Sequence, residues 1–188
     1  MISYKHILSS INKTRRLEFN KQLNSQQICA ELLKNESGTV LDYGCGPMDI
    51  KNWLPDSIKY VPYDPDINRK DVIHNLPKDK FDWIVCHQVV EHLNIKEIEE
   101  FLNYCVTHTN KVMISTMNIN HLNWYDFHTQ ITHITPLYWK HFASFVEGFG
   151  FKVEQIIFAM PFRNPLKVLL CKLFGSIPYN EYLIVIKK

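Results

Sequence analysis

Apolar positions along the chain form short runs, and longer stretches with helical spacing lie between them. The clearest run, 83–86, is apolar throughout, as expected of a strand buried on both faces. Comparable runs predict strands at 40–42, 59–63, 71–74, 111–115, 152–158 and 181–186. Helical spacing or capping residues predict helices at 14–34, 48–53, 95–106, 135–148 and 165–174. This alternation favours an α/β fold.

Composition narrows the class of protein. The chain has 188 residues, a length that suits one domain, and a formal net charge of +2 with no concentrated basic run, which argues against nucleic acid as partner. The five cysteines are odd in number and include no C-x-x-C pair, so we expect a reducing cytoplasm. We expect neither a signal peptide nor a transmembrane segment, because no apolar stretch is long enough.

The stretch after the first predicted strand carries the strongest local signal. Gly44 and Gly46 permit a tight turn without a Cβ in the way of a ligand, and a helix start follows. The spacing does not fit a P-loop, and a third glycine for a dinucleotide site is missing. Asp64, 22 positions after Asp42, ends the next strand and could accept hydrogen bonds from ribose hydroxyls or simply cap a turn.

Two blocks together resemble class I S-adenosylmethionine-dependent methyltransferases. The first is Val40-Leu41-Asp42-Tyr43-Gly44-Cys45-Gly46-Pro47, in which Met48 departs from the last glycine of the family pattern. The second runs from Phe81 to Leu93 and resembles the fourth-strand signature that ends in Glu-His. The resemblance covers 38 to about 158. It implies a Rossmann-like, doubly wound seven-stranded sheet, mostly parallel, with an antiparallel last strand paired with strand six at the sheet edge.

The resemblance also implies the cofactor and its contacts. S-adenosylmethionine would bind, and S-adenosylhomocysteine would leave as product. Asn75 would lie near the adenine and Leu76 on its apolar face. The cofactor-binding candidates are Asp42, Gly44, Cys45, Gly46, Asp64, Pro65, Asn75, Leu76, His87 and Gln88.

We expect one methyltransferase domain with three parts. Residues 1–37 would be a helical cover, whose N-terminal part could alternatively act as a lid over the cofactor. Residues 38–158 would be the cofactor-binding core, and 159–188 a substrate-side connection with the last strand. The 165–174 helix would cover the substrate side or form a dimer contact, or else it would touch a membrane surface. The oligomeric state cannot be read from the sequence.

The expected reaction is methyl transfer to an oxygen or nitrogen of a small-molecule acceptor. Alignment of the acceptor with the cofactor can supply much of the rate. The long 119–135 segment follows the fifth strand and should form one wall of the acceptor pocket. Its histidines, His121, His128 and His133, are the candidate catalytic bases.

Two alternatives remain open. Small-RNA 2′-O-methyltransferases bind a metal through E-x-x-E-H and a later histidine; Glu91, His92 and His133 match three ligands, but Gln88 replaces the first glutamate. We therefore assign no metal at this stage. The other alternative is a regulatory protein that binds S-adenosylmethionine without catalysis.

Overall fold

The computed structural model describes residues 13–119, 124–161 and 163–188, and its described strands form one sheet. The strands are β1 (Leu17–Phe19), β2 (Gly38–Tyr43), β3 (Ile58–Tyr63), β4 (Trp83–His87), β5 (Lys111–Met117), β6 (Lys152–Pro161) and β7 (Tyr179–Lys187). Their order across the sheet is β1-β6-β7-β5-β4-β2-β3. β7 pairs antiparallel with β5 and β6, and every other pairing is parallel.

The expected fold class is confirmed, with two corrections to its strands. The predicted 71–74 strand is reduced to one bridge between Tyr63 and Ile73. The seventh strand is instead β1, which lies where a continuous 14–34 helix was expected. Because β1 flanks β6, the β6–β7 pair lies one strand in from the edge. β3 is the opposite edge strand, a position that tolerates Pro62.

Five α-helices lie among the described residues: α1 (Ser25–Leu33), α2 (Ile95–His108), α3 (Trp124–Thr129), α4 (Trp139–Glu147) and α5 (Pro165–Leu173). Asn24 and Asn94 each close a capping box that fixes the start of α1 and α2. Asn164 caps α5, whose first residue is proline. Among the described residues, no helix has the length and apolarity needed to cross a bilayer.

Three further predictions of local structure need correction. The 48–53 helix is a short 3-10 helix, Asp49–Trp53. α4 starts at Trp139 and not at Thr135, whose hydroxyl donates a hydrogen bond to the Leu93 carbonyl at 2.5 Å. The 119–135 segment is not irregular throughout, since α3 lies within it.

Side chains that alternate along the strands pack into two separate clusters, one on each face of the sheet. On one face Leu41, Ile84 and Ile114 pack with the apolar sides of α2 and α4. On the other, Val40, Val85 and Met113 pack with α1. The sheet is therefore covered on both faces, as in a doubly wound fold. β2, β4 and β5 end at a common carboxyl edge, where the candidate site is found.

Candidate functional site

The glycine turn joins the end of β2 to the end of β3. Gly44 and Gly46 have φ values of 72° and 49°, which favour glycine over residues with a Cβ. The amides of Gly44 and Cys45 donate to the Tyr63 carbonyl at 2.8 and 3.0 Å. The amide of Gly46 donates to Oδ2 of Asp64 at 3.0 Å. The structure thus brings Asp64 to the turn, and its contact with ribose stays a prediction.

The two glycines have different neighbours. A Cβ on Gly46 would meet nothing within 4 Å, so the turn is open there for a ligand. A Cβ on Gly44 would lie 2.6 Å from Cγ2 of Val89. Gly44 therefore makes room for the Val89 side chain, and its expected role toward a ligand stays a prediction.

Asp42 is buried just before the turn, with 2% of its surface exposed. Burial raises the pKa of this carboxyl to about 6, although the hydrogen bond from the Tyr60 hydroxyl lowers it. The Tyr60 oxygen lies 2.5 Å from Oδ2 of Asp42. Asp42 is therefore a buried acid that the neighbouring strand β3 holds in place.

The predicted ribose and adenine contacts lie on one side of the turn. Oδ1 of Asp64 accepts from the Asp66 amide at 3.0 Å, so the residue also closes a turn. Nδ1 of His74 donates to the Asp64 carbonyl at 3.1 Å and ties the following segment to the strand end. Pro65, Asn75 and Leu76 are exposed beside it, and Leu76 is 37% exposed.

His87, the last residue of β4, is held by two residues distant in sequence. The Ser25 hydroxyl donates to Oε2 of Glu181 at 2.6 Å, so its oxygen accepts from Nε2 of His87 at 2.8 Å. Burial lowers the pKa of His87 to about 4, against a small opposite effect of Asp49. His87 is therefore neutral at pH 7, with its proton on Nε2 and a lone pair on Nδ1.

Polar atoms beside Ser25, His87 and Glu181, which we call the clamp, are buried and have no hydrogen-bond partner among the described residues. They are Nε2 of Gln88 and Oγ of Ser115. Gln88 has a φ of 53°, a conformation that costs a non-glycine residue energy and is often found at functional sites. Orphaned donors and an open glycine turn at one edge of the sheet fit a polar cofactor there.

A second group of side chains, which we call the cation cluster, consists of Glu91, His92 and His133. One ligand atom from each lies within 4.8 Å of the other two. The Glu91 carbonyl accepts from the amides of Ile134 and Thr135 at 2.9 and 3.1 Å, which holds His133 beside the 3-10 helix Val90–His92.

The electrostatics of the cation cluster suit a bound cation. Glu91 is 1% exposed, and neither carboxylate oxygen makes a hydrogen bond of normal geometry to a described residue. Burial raises its pKa to about 7, opposed by smaller effects that include the Thr116 side chain. Nδ1 of His92 donates to the Thr132 carbonyl at 3.1 Å, which leaves Nε2 with a lone pair. The pKa of His133 is lowered mainly by burial and to a smaller extent by the charge of His92.

The three histidines predicted on the 119–135 segment have separate outcomes. His133 joins the cation cluster, and its Nδ1 is buried without a partner in the described chain. His128 is exposed at the end of α3 and packs edge-on against Phe127. His121 lies outside the described residues.

Ser25, Tyr60 and Glu181 were missed by sequence reasoning. Ser25 and Glu181 are 156 positions apart, and no local pattern links them. The capping pattern that begins at Asn24 could have placed Ser25 at a helix start, but not beside His87.

A family model described as a methyltransferase domain matches residues 16–156, which is most of the chain. No curated protein sequence matches it. Among solved structures, an S-adenosylmethionine-dependent methyltransferase from Archaeoglobus fulgidus superposes with a TM-score of 0.66 and 18% identity, covering 88% of this chain and 95% of the other.

Two further structures share the fold. The small RNA methyltransferase HEN1 has a TM-score of 0.64 and 15% identity over 87% of this chain and 24% of its own. The mitomycin 7-O-methyltransferase MmcR has a TM-score of 0.61 and 12% identity over 87% of this chain and 54% of its own. The chain spans about a quarter of the first and about half of the second. The chain therefore belongs to the methyltransferase domain family, with the class I Rossmann-like fold and S-adenosylmethionine as its cofactor.

Proposed function

We propose that the protein transfers the methyl group of S-adenosylmethionine to a hydroxyl oxygen of a small-molecule acceptor, assisted by a divalent cation at the cation cluster. S-adenosylmethionine supplies the electrophilic methyl carbon. The observation that carries the proposal is the buried carboxyl group of Glu91, whose oxygens have no hydrogen-bond partner of normal geometry among the described residues, beside two imidazoles. A bound cation would lower the pKa of the acceptor hydroxyl. The hydroxyl would then lose its proton more readily and become a better nucleophile toward the methyl carbon.

The cofactor contacts of the proposal follow the carboxyl edge of the sheet. The turn from Asp42 to Gly46, with Cys45, would receive the methionine part, and Asp64 with Pro65 the ribose. Asn75 and Leu76 would contact the adenine. His87 and Gln88 would face the cofactor from the end of β4. The support is their common edge, the open space above Gly46 and the unpaired Gln88 amide.

The donor set of the cation cluster selects the kind of cation. Two imidazoles and one carboxylate suit manganese, cobalt or zinc better than calcium. Gln88 stands where the small-RNA enzymes have a further glutamate and is not one of the three ligands, so we expect weaker binding than a four-ligand anionic site would give. In this role His133 is a ligand, not the base considered from the sequence.

Titration calorimetry with Mn²⁺ tests the cation. We expect Mn²⁺ to bind to the unmodified protein. For His133→Ala we expect a dissociation constant at least tenfold higher, because one of three ligands is lost. His128→Ala is the matched control, since His128 is exposed on the same segment and lies outside the cluster. Equal affinities for both variants, or no binding by the unmodified protein, would exclude the cation role.

The second candidate function is cation-assisted 2′-O-methylation of RNA. The cation cluster favours it, because these residues match three ligands of the small-RNA enzymes, and HEN1 is named as a small RNA methyltransferase. The net charge of +2 favours the small-molecule acceptor, since RNA binding usually needs a basic surface. MmcR is named as a methyltransferase of mitomycin.

Transfer of a labelled methyl group separates these acceptors. Incubation with total small RNA and with a phenol and catechol panel should label the small molecules and leave the RNA unlabelled. Labelled RNA, lost on adding a chelator, would support the second candidate. Binding of S-adenosylmethionine without transfer to any acceptor would support the non-catalytic alternative.

The cellular setting is also a proposal. All five cysteines are buried and free, which fits a reducing cytoplasm. The 119–135 segment remains the proposed wall of the acceptor pocket.

A further inference from the structure

Helix α5 turns its more apolar face outward. Leu166, Leu169 and Leu173 follow helical spacing and are 61%, 52% and 70% exposed. Cys171, on the opposite side of the helix, is fully buried. A contiguous exposed stripe of this kind marks an interaction surface.

The charge of the surrounding segment identifies its partner. The stretch 159–180 contains three cations, Arg163, Lys167 and Lys172, and no acidic residue. Arg163 and Lys172 are exposed. Exposed leucines flanked only by positive charge match the acyl chains and anionic headgroups of a bilayer. Two copies of this chain facing each other through the same patch would bring like charges together.

We propose that α5 docks on an anionic membrane surface, with the three exposed leucines among the lipid chains. The fold gives this docking a consequence for the site. β5 and β6 are both antiparallel to β7, so α5 leaves β6 at the same carboxyl edge that carries the glycine turn. The proposed acceptor is then a molecule dissolved in or anchored to the bilayer. This last step alone rests on the proposed function.

Co-sedimentation with vesicles tests the docking without cofactor or acceptor. We expect binding to phosphatidylcholine vesicles containing about one third phosphatidylglycerol, and at least tenfold weaker binding to pure phosphatidylcholine. Leu169→Glu with Leu173→Glu should reduce binding to the anionic vesicles at least tenfold. Both positions are exposed, so the variant should keep its circular dichroism spectrum.

Two matched controls locate the effect. Trp53→Glu places one such charge at a side chain that is 54% exposed and precedes the edge strand β3, and this variant should bind like the unmodified protein. Arg163→Glu with Lys172→Glu should lose binding, whereas Lys59→Glu, exposed on β3, should retain it.

The outcomes are distinct. Absence of sedimentation with anionic vesicles, or equal loss in the Trp53 variant, overturns the docking proposal. A dimer in analytical ultracentrifugation that the double leucine variant converts to monomer, without vesicle binding, assigns the face to a second copy and also overturns it. Vesicle binding by a protein that shows no methyl transfer would leave the docking intact and contradict only the proposed function.

Discussion

Met48 occupies the position where the family pattern carries its last glycine, and its own backbone is left-handed, with a φ of 66°. A residue with a side chain loses roughly 1–2 kcal/mol in this conformation. The side chain offsets the cost by packing, because it is 5% exposed and lies in one cluster with Cys45 and Val72. The departure from the pattern thus exchanges backbone freedom for apolar contact.

Two substitutions at this residue separate strain from packing. Met48→Ala loses the contacts and keeps the strain, so we expect it to lower the free energy of unfolding by about 2–4 kcal/mol. Met48→Gly loses the same contacts but relieves the strain, and should be more stable than Met48→Ala by about 1 kcal/mol. Urea unfolding measures both. An alanine variant as stable as the glycine variant would show that the turn is not strained at this position.

Single residues could be predicted where a local pattern specifies them. The glycine turn and Asp64 lie at strand ends, and strand ends are visible in the sequence, so their meeting at one edge was predictable. Tyr60 beside Asp42 was not, because the pairing depends on the register between β2 and β3. The cation cluster was suggested by resemblance alone, and its closeness depends on amide contacts to the Glu91 carbonyl.

At the scale of elements, the glycine turn and the segment after β4 are packed against each other. Gly44→Ala should lower the free energy of unfolding by about 2–4 kcal/mol, through a 2.6 Å contact with Val89 and a positive φ. Adding Val89→Ala should recover the steric part of that loss. Gly46→Ala is the control: its Cβ would meet open space, so about 1 kcal/mol is expected.

A double-mutant cycle in urea gives the coupling between positions 44 and 89. A coupling energy near zero would mean that the alanine Cβ at position 44 makes no steric contact with the Val89 side chain. Calorimetry with S-adenosylhomocysteine on Gly46→Ala would show whether the open side of the turn takes part in binding.

The elements themselves were predictable to different degrees. Strands β4 and β5 have continuous apolar runs, and their positions were predicted within two residues. β1 has three residues, of which only one is half-buried, so its pairing with β6 leaves no periodic signal. The residues of β1 were therefore included in the predicted 14–34 helix, of which only the part around α1 is helical.

At the scale of the whole molecule, the Ser25–His87–Glu181 clamp joins α1, β4 and β7. Because the folded state lowers the pKa of His87 from 6.5 to about 4, the unfolded chain binds a proton more readily. The contribution of His87 to stability is complete above pH 6.5 and is lost as the pH falls toward 4, at up to about 1.4 kcal/mol per pH unit.

The acid sensitivity of unfolding tests this contribution. His87→Gln should flatten the decline in the free energy of unfolding between pH 6.5 and 4, and His141→Gln, at an exposed histidine, should leave the slope unchanged. Identical slopes for the His87 variant and the unmodified protein would contradict a neutral, buried imidazole.

Strand order along the chain differs from strand order across the sheet in one important place. β7 follows the other described strands in sequence, yet it lies between β5 and β6. During synthesis, both strands must leave the ribosome with one edge open, and they stay so until β7 emerges. Unpaired edges are templates for pairing with other chains. The interval between translation of β5 and translation of β7 is therefore the period in which the nascent chain is most open to pairing with another chain.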